Sequence, residues 1–316
     1  MEREKISAQD GIELAKVISL DDWRKSRGEG NRVNSISFNM VRKKYKRVAH
    51  SSNTGKSILE PGGKDSTELE NIRIANYLIT VAISVQDKKE KIRLAEEAIS
   101  IFPHCSAAFN ILAVEKATSA IERFGYYKKG VDGGEFFTRT NMLDFGRKFS
   151  AIERQPYIVS LKGAGDALWE MGENDASLVY YWRVVRLDES DRLGVVQILA
   201  TRLLEMDRGY ALSDFFISSN NGKGPVIPWV KVFHYFREGD FEKALENYRI
   251  ASQKHPGVLL FLTGEKVLPE KIPPYEEISG KMLDAWGATL LKSSCDSLPE
   301  AMHWLKGISK NEKPAL

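Results

Sequence analysis

The chain has 316 residues, of which 42% are hydrophobic and 28% charged, a composition typical of a folded globular protein. Its net charge of +3 is too small to indicate that the whole molecule binds nucleic acid or membrane through charge alone. The charge is uneven, because residues 1–66 carry 14 Lys and Arg against 9 Asp and Glu, whereas the remainder carries 32 against 34.

Residues 1–65 are predicted to be a basic, partly disordered extension. Gly, Ser and Asn are frequent on both sides of one short basic stretch, and the only amphipathic pattern covers Gly11–Leu20. No apolar targeting segment is seen, so a cytoplasmic protein is expected, with the nucleus as an alternative. The basic stretch favours a solvated tail, and nucleic-acid contact or nuclear import is the alternative hypothesis. Its cations are Arg42, Lys43, Lys44, Lys46 and Arg47.

From Ser66 to Leu316 the pattern is helical, and at least ten helices with no β-sheet are predicted. Small and aromatic residues recur about every 34 residues, the period of a tetratricopeptide helix pair. The best unit has Gly239 at the interhelix turn, Ala244 and Ala251 at close crossings, Tyr248 between helices and Pro256 at the helix end. Related positions occur at Gly209, Ala211 and Phe215, at Gly172, Ser177, Tyr181 and Val184, and at Ala95, Ala98 and Pro103.

Three segments interrupt this period. Gly130–Thr138 is predicted to be an insertion loop before a helix from about 140 to 153, and Ser218–Pro225 a loop between units. Residues 262–274 are predicted to form an irregular crossing before two capping helices at about 275–291 and 298–308. The predicted fold is an all-α, tetratricopeptide-like α-α superhelix, a right-handed solenoid over 66–316 with an irregular C-terminal cap.

The segment Cys105–Thr118 resembles the most recognisable helix of the suppressor-of-tumorigenicity-seven family. It likewise begins at Cys, runs through Leu-Ala-x-Glu and ends in Ala-Thr, and Thr140-Asn-Met-Leu143 is similar to the start of the family's next helix. The stretch FLTGEKVLPEKIPPY, followed by the Ala285-Trp286 helix, resembles the C-terminal end of related tetratricopeptide-like proteins of bacteria and plants. The resemblance covers about 71–306 and implies a helical-repeat protein without an enzymatic motif. Animal members also carry N-terminal membrane-spanning helices, which residues 1–66 do not match.

No catalytic, cofactor-binding or metal-ligating set is predicted. The run Ser52–Ser57 ends like a phosphate-binding loop, but His50 stands where such a loop needs glycine, so a linker is favoured. Cys105 follows His104 without a second catalytic partner, which favours packing over catalysis. The acidic residues Glu170, Glu173 and Asp175 are expected to be solvated at an interhelix turn.

The first helices of tetratricopeptide units line a concave groove, and mapping the period onto the chain predicts which residues lie there. The candidate partner-binding residues are Asn76, Asn110, Lys162, Asp166 and Trp169. In later units the equivalent positions are apolar, so we expect them to be covered by the chain itself; they are Leu193, Val196, Ala200, Leu203, Trp229, Phe233 and Phe236. The resulting hypothesis is a non-catalytic scaffold or adaptor that holds a peptide or helix of another protein. The alternatives are nucleic-acid association through 42–47 and an enzyme of unrecognised type.

Overall fold

The computed structural model describes residues 66–145, 151–218 and 224–311, and these residues form thirteen α-helices and no β-strand. This confirms the all-α prediction and the predicted minimum of ten helices. The predicted extension, its basic cations Arg42–Arg47 and the Ser52–Ser57 run lie outside the described residues. None of the described helices is both long and apolar enough to cross a membrane.

The chain divides into two compact units, with the boundary between Met171 and Gly172. The grouping of 66–316 into one repeat domain stays a prediction. The helices of the first unit are α1 Ser66–Ser84, α2 Lys88–Ile101, α3 Ser106–Glu115, α4 Ala120–Phe145 and α5 Ala151–Glu170. Those of the second unit are α6 Asn174–Leu187, α7 Val195–Glu205, α8 Gly209–Ser218, α9 Val226–Arg237, α10 Phe241–Lys254, α11 Pro256–Leu262, α12 Lys281–Asp296 and α13 Pro299–Asn311.

In the first unit, consecutive helices pack in pairs, α1 on α2 and α3 on α4, and α5 closes against both α3 and α4. The core is apolar and includes Leu78, Leu94 and Leu112, each at most 3% exposed. Burial of these side chains supplies the main favourable term for folding this unit.

The predicted insertion loop at Gly130–Thr138 is wrong, because α4 continues through it from Ala120 to Phe145. Its glycines face close neighbours: a Cβ on Gly133 would lie 2.6 Å from the His104 carbonyl oxygen, and one on Gly134 would lie 2.4 Å from the Tyr157 ring. A Cβ on Gly130 would likewise lie 2.4 Å from Ser160 Oγ. The glycines therefore permit close contact between backbones rather than breaking the helix.

In the second unit, α9 is the central helix and packs on α7, α10, α12 and α13. Trp229 and Phe233 on α9 are fully buried, and Ala200 and Leu203 on α7 are 0% and 2% exposed. The expectation that the apolar inner positions are covered by the chain itself is confirmed for these four side chains. Phe236 is half-buried against the rings of Phe241 and Trp304.

Three helices, one in the first unit and two in the second, share one local design. Helices α2, α6 and α10 each have 14 residues and bury the residues at their eighth and eleventh positions. Each ends where the N–H of the following residue bonds the carbonyl four residues earlier, as in His255 N–H to Ala251 O at 2.8 Å. Asp87 and Asp240 cap α2 and α10 alike, accepting from the third backbone N–H of the helix.

The burial, turn and helix end predicted for Gly239–Pro256 are confirmed. Ala244 and Ala251 are 0% exposed and Tyr248 is 6% exposed, Gly239 has φ +75° at the turn, and α10 ends just before Pro256. The two predicted C-terminal helices are shifted to 281–296 and 299–311, because 275–277 forms a 3₁₀ turn and Gly280, with φ +57°, precedes α12.

The Ala244→Leu variant should lose about 1–3 kcal/mol in the free energy of unfolding, because extra methyl groups enter a close crossing. Tyr248→Ala should lose about 3–5 kcal/mol by leaving a cavity. Chemical denaturation measures both changes. Glu246→Ala is the control, since Glu246 is exposed on the same helix and should stay within about 0.5 kcal/mol of neutral. A harmless Ala244→Leu beside a destabilising Glu246→Ala would contradict the packing described for α10.

Two glycines of α4 should respond in opposite directions to the same change. Gly133→Ala should cost about 1–3 kcal/mol, because its new methyl group meets the His104 backbone, which cannot rotate away. Gly125→Ala has nothing within 4 Å of its Cβ and should gain up to about 1 kcal/mol from helix propensity. Thermal unfolding of the two variants distinguishes a packed helix from a loop, in which both changes would be nearly neutral.

Candidate functional site

Asn110, one of the predicted groove residues, is committed to the packing of α3 on α5. Its Nδ2 donates to the Pro156 carbonyl at 2.9 Å, and its Oδ1 accepts from Ser160 Oγ at 2.6 Å. Ser160 is fully buried, and Gly130 leaves room for its hydroxyl. Both ends of the amide are therefore used inside the unit, so Asn110 stabilises the fold.

Lys162 and Asp166 lie one turn apart on α5 and form an ion pair of 2.7 Å between Nζ and Oδ2, with both side chains partly exposed. Tyr127 of α4 packs against Gly163 on the same helix. Burial, and then the Asp166 carboxylate, raise the pKa of the Tyr127 phenol, so the phenol stays uncharged at neutral pH. Trp169 is half-buried further along α5.

Asn76 is the predicted groove residue that is most open to solvent. It lies on an exposed stripe of α1 that also carries Arg73, Thr80 and Ile83, and Ile83 is 70% exposed. Thr80 Oγ1 donates to the backbone carbonyl of Asn76 at 3.0 Å, a bond that does not involve the Asn76 side chain. We call Arg73, Asn76, Thr80 and Ile83 the α1 stripe.

The two cysteines are buried and are not joined in a disulfide. Burial raises the pKa of the Cys105 thiol to about 11 and that of Cys295 to about 12, so both are protonated at neutral pH. The acidic residues near the turn after α5 are paired, each within its own unit: Glu170 with Arg123, and Asp175 with Arg208 at 2.9 Å.

The second unit contains a polar cluster that the sequence analysis missed. Gln197 on α7 donates from Nε2 to the Tyr275 hydroxyl at 3.1 Å and accepts the Val226 backbone N–H at 2.9 Å. The Tyr275 ring lies 4.6 Å from the Trp286 ring, centroid to centroid. Gly194, with φ +67°, lies beneath both rings, and a Cβ there would approach Tyr275 Cγ to 2.9 Å. We call Gly194, Gln197, Tyr275 and Trp286 the Tyr275 cluster.

Asp191 lies beside this cluster, in the turn that leads into α7. It has a left-handed backbone with φ +46°, uncommon for a residue other than glycine, and its Oδ1 accepts from Val196 N–H at 3.0 Å. Burial raises the pKa of the Asp191 carboxyl to about 6, against the lowering effect of the Val196 and Val195 N–H groups, while Asp188 raises it further. A strained backbone with a shifted pKa is typical of functional sites.

The Tyr275 cluster could not be read from local pattern. Its hydrogen bond joins residues 78 positions apart, and both flanking segments resemble ordinary turns. The available signal was Gly194 before a helix together with Pro-Pro-Tyr in a segment that lacks helical periodicity.

Within the described ranges, no three His, Cys, Asp or Glu side chains come together in a group that could hold a metal ion. Comparison of the sequence with protein-family models, curated proteins and solved structures finds no match. The resemblance to the suppressor-of-tumorigenicity-seven family therefore stays a prediction.

Asp191→Asn should stabilise the protein more at pH 7.5 than at pH 5. Because its pKa is raised, the folded state binds the Asp191 proton more tightly than the unfolded state does. The charged carboxylate therefore destabilises the folded state fully above about pH 6, and this destabilisation shrinks as the pH falls toward 3.8. Asparagine keeps the Oδ1 acceptor without the charge. Melting temperatures of wild type and variant across this range measure the difference.

Asp214→Asn removes an exposed carboxylate on α8 and controls for the change in net charge. An Asp191→Asn variant whose melting temperature differs from wild type by the same amount at both pH values would contradict the assigned electrostatics.

Proposed function

We propose that this chain is a non-catalytic protein-interaction scaffold, a tetratricopeptide-like α-α solenoid that holds a peptide or helix of a partner protein. The observation that carries the proposal is the common design of α2, α6 and α10, with equal length, equal buried positions and equal end geometry. Repeated helix pairs of this kind stack into extended surfaces on which partners bind.

The turns before the second helices add support. Gly172, Asp207 and Gly239 have φ of +80°, +54° and +75°, and each lies within a few residues of the start of α6, α8 or α10. Spacings of 35 and 32 residues between these turns are close to the 34-residue tetratricopeptide period. A left-handed residue two positions before each of these helices indicates repeated turn geometry rather than three unrelated turns.

The α1 stripe is the proposed contact surface. It carries a cation, an amide, a hydroxyl and an isoleucine at positions i, i+3, i+7 and i+10 of one helix, and no described residue covers it. Mixed polar and apolar side chains at this spacing suit a partner segment that lies along the helix. Among the predicted groove residues, Asn76 belongs to this surface, whereas Lys162, Asp166 and Trp169 lie on α5.

The test is affinity capture by the full chain with quantitative mass spectrometry, comparing wild type with an Asn76→Arg/Thr80→Arg variant. Arginines on the stripe should reduce the captured partner at least tenfold, because long charged side chains replace the amide and hydroxyl contacts. Ser100→Arg is the matched control, since Ser100 is a small, exposed, polar residue on α2. Wild type, the double variant and the control should have nearly equal melting temperatures, because surface changes are close to neutral for stability.

Equal capture by the double variant and the control would contradict the α1 stripe as the interface.

The alternative function, nucleic-acid association through Arg42–Arg47, is distinguished by how binding depends on salt concentration. Binding of labelled RNA or DNA that depends on these cations should weaken steeply between 50 and 500 mM salt, roughly as a power of the number of phosphates contacted.

A further inference from the structure

The segment Thr263–Gly280, which we call the strap, connects α11 to α12 without forming a helix or strand beyond the 3₁₀ turn at Tyr275–Glu277. Much of it is exposed, and Val267 is 88% exposed. Pro269, Pro273 and Pro274 also have no backbone N–H to donate. A segment with few buried contacts and few hydrogen bonds opens more readily than the helices around it.

Tyr275 carries the hydrogen bond that ties the strap to α7. Other hydrogen bonds join the strap to the helix before it, as in Lys266 N–H to Leu260 O at 2.9 Å. The Tyr275 ring adds the contact with Trp286 of α12. The side chain of Tyr275 thus joins the strap to both α7 and α12.

The part of the second unit that contacts Tyr275 fits its side chain closely. Gln197 is 0% exposed, and its amide is oriented from the other side by the Val226 N–H, so Nε2 points to the hydroxyl position. A Cβ on Gly224 would lie 2.0 Å from Gln197 Nε2, and one on Gly194 would lie 2.9 Å from the tyrosine ring. Two glycines thus leave room for the amide and the ring, and an empty site would leave a buried N–H unpaired.

We propose that Gly194, Gln197 and Trp286 form a binding site for a tyrosine in an extended, proline-rich peptide, and that this chain fills the site with its own Tyr275. The strap is then an internal ligand that excludes a partner's tyrosine peptide until it is displaced. The inference rests on the proposed scaffold function, because it adds a second, self-blocked peptide site to the one on α1.

The bound strap indicates the chemistry of the ligand. Pro274 has φ −54° and ψ 150°, the polyproline II conformation, which is extended and needs no internal hydrogen bonds. Such peptides bind aromatic surfaces, and here Trp286 contacts the ring of the tyrosine that follows the prolines. The tyrosine is followed by exposed Glu276 and Glu277. The ligand class is therefore a Pro-Pro-Tyr segment, after which exposed acidic residues are accommodated.

The charge beside the site selects an unmodified tyrosine. Burial raises the pKa of the Tyr275 phenol, and the Asp191 carboxylate raises it further, which shows that negative charge is disfavoured at this hydroxyl. A phosphate there would add nearly two negative charges next to Asp191. Phosphotyrosine peptides should therefore be rejected.

The first experiment measures amide hydrogen exchange in the full chain. Tyr275→Ala should speed exchange in residues 276–280 at least tenfold, with a smaller increase for Tyr275→Phe, which keeps the ring but loses the bond from Gln197. Protection in α7 and α9 should not change. Unchanged strap exchange would overturn the proposal, and so would loss of protection in α7 and α9 together with the strap, because Tyr275 would then belong to the core.

The second experiment uses a fluorescein-labelled peptide of residues 271–279, KIPPYEEIS, and fluorescence anisotropy. It should bind Tyr275→Ala and bind wild type at least tenfold more weakly, since a tethered ligand competes at an effective concentration on the order of millimolar. A peptide with Phe in place of Tyr should bind Tyr275→Ala about fivefold more weakly, the loss expected for one hydrogen bond. The phosphotyrosine peptide should not bind.

Equal binding to wild type and Tyr275→Ala, or no binding to a folded Tyr275→Ala, would overturn the self-blocked site. Neither experiment needs a partner protein or the α1 stripe. If Tyr275→Ala does not bind the peptide but the full chain still captures its partner, only this inference is contradicted. If Tyr275→Ala binds the peptide but the full chain captures no partner, the scaffold function is contradicted.

Discussion

Close contact at positions that only glycine or alanine can occupy is the constraint on which the rest of this structure depends. In the first unit, Gly133 and Gly134 bring α4 against the His104 backbone and the Tyr157 ring. In the second, Ala244 and Ala251 are fully buried in the face by which α10 packs on α9. Helices that approach this closely gain dispersion contacts along their length, and they tolerate no larger residue at the crossing. These close contacts fix how the helices pack, and the packing in turn sets where the side chains of the candidate sites lie.

The first unit uses much of its polar chemistry to hold itself together. Asn110 bonds Pro156 and Ser160, Lys162 pairs with Asp166, and Arg123 pairs with Glu170. Exposed ion pairs of this kind contribute little to stability, yet they lower the cost of having charge near apolar contacts. Asn76, by contrast, lies on the exposed side of α1.

Sequence pattern predicted features that depend on neighbours within one helix pair. The turn at Gly239, the burial of Ala244, Tyr248 and Ala251, and the helix end before Pro256 all follow from local spacing. The pattern failed at Gly130–Thr138, because glycine occurs both where helices break and where they touch, and only the partner helix distinguishes the two cases. The Tyr275 cluster was missed because its members lie far apart in the sequence, so that no local spacing connects them.

The 78-residue separation between Gln197 and Tyr275 has a consequence for synthesis on the ribosome. Contacts within helix pairs span short loops and form early, whereas joining distant residues must overcome a larger closure entropy and comes late. Translation delivers Gln197 long before Tyr275, so the growing chain passes through an interval in which α7 has emerged and its tyrosine has not. During that interval the amide N–H of Gln197 lacks the hydroxyl that it meets in the folded chain, and the order of synthesis itself sets how long that interval lasts.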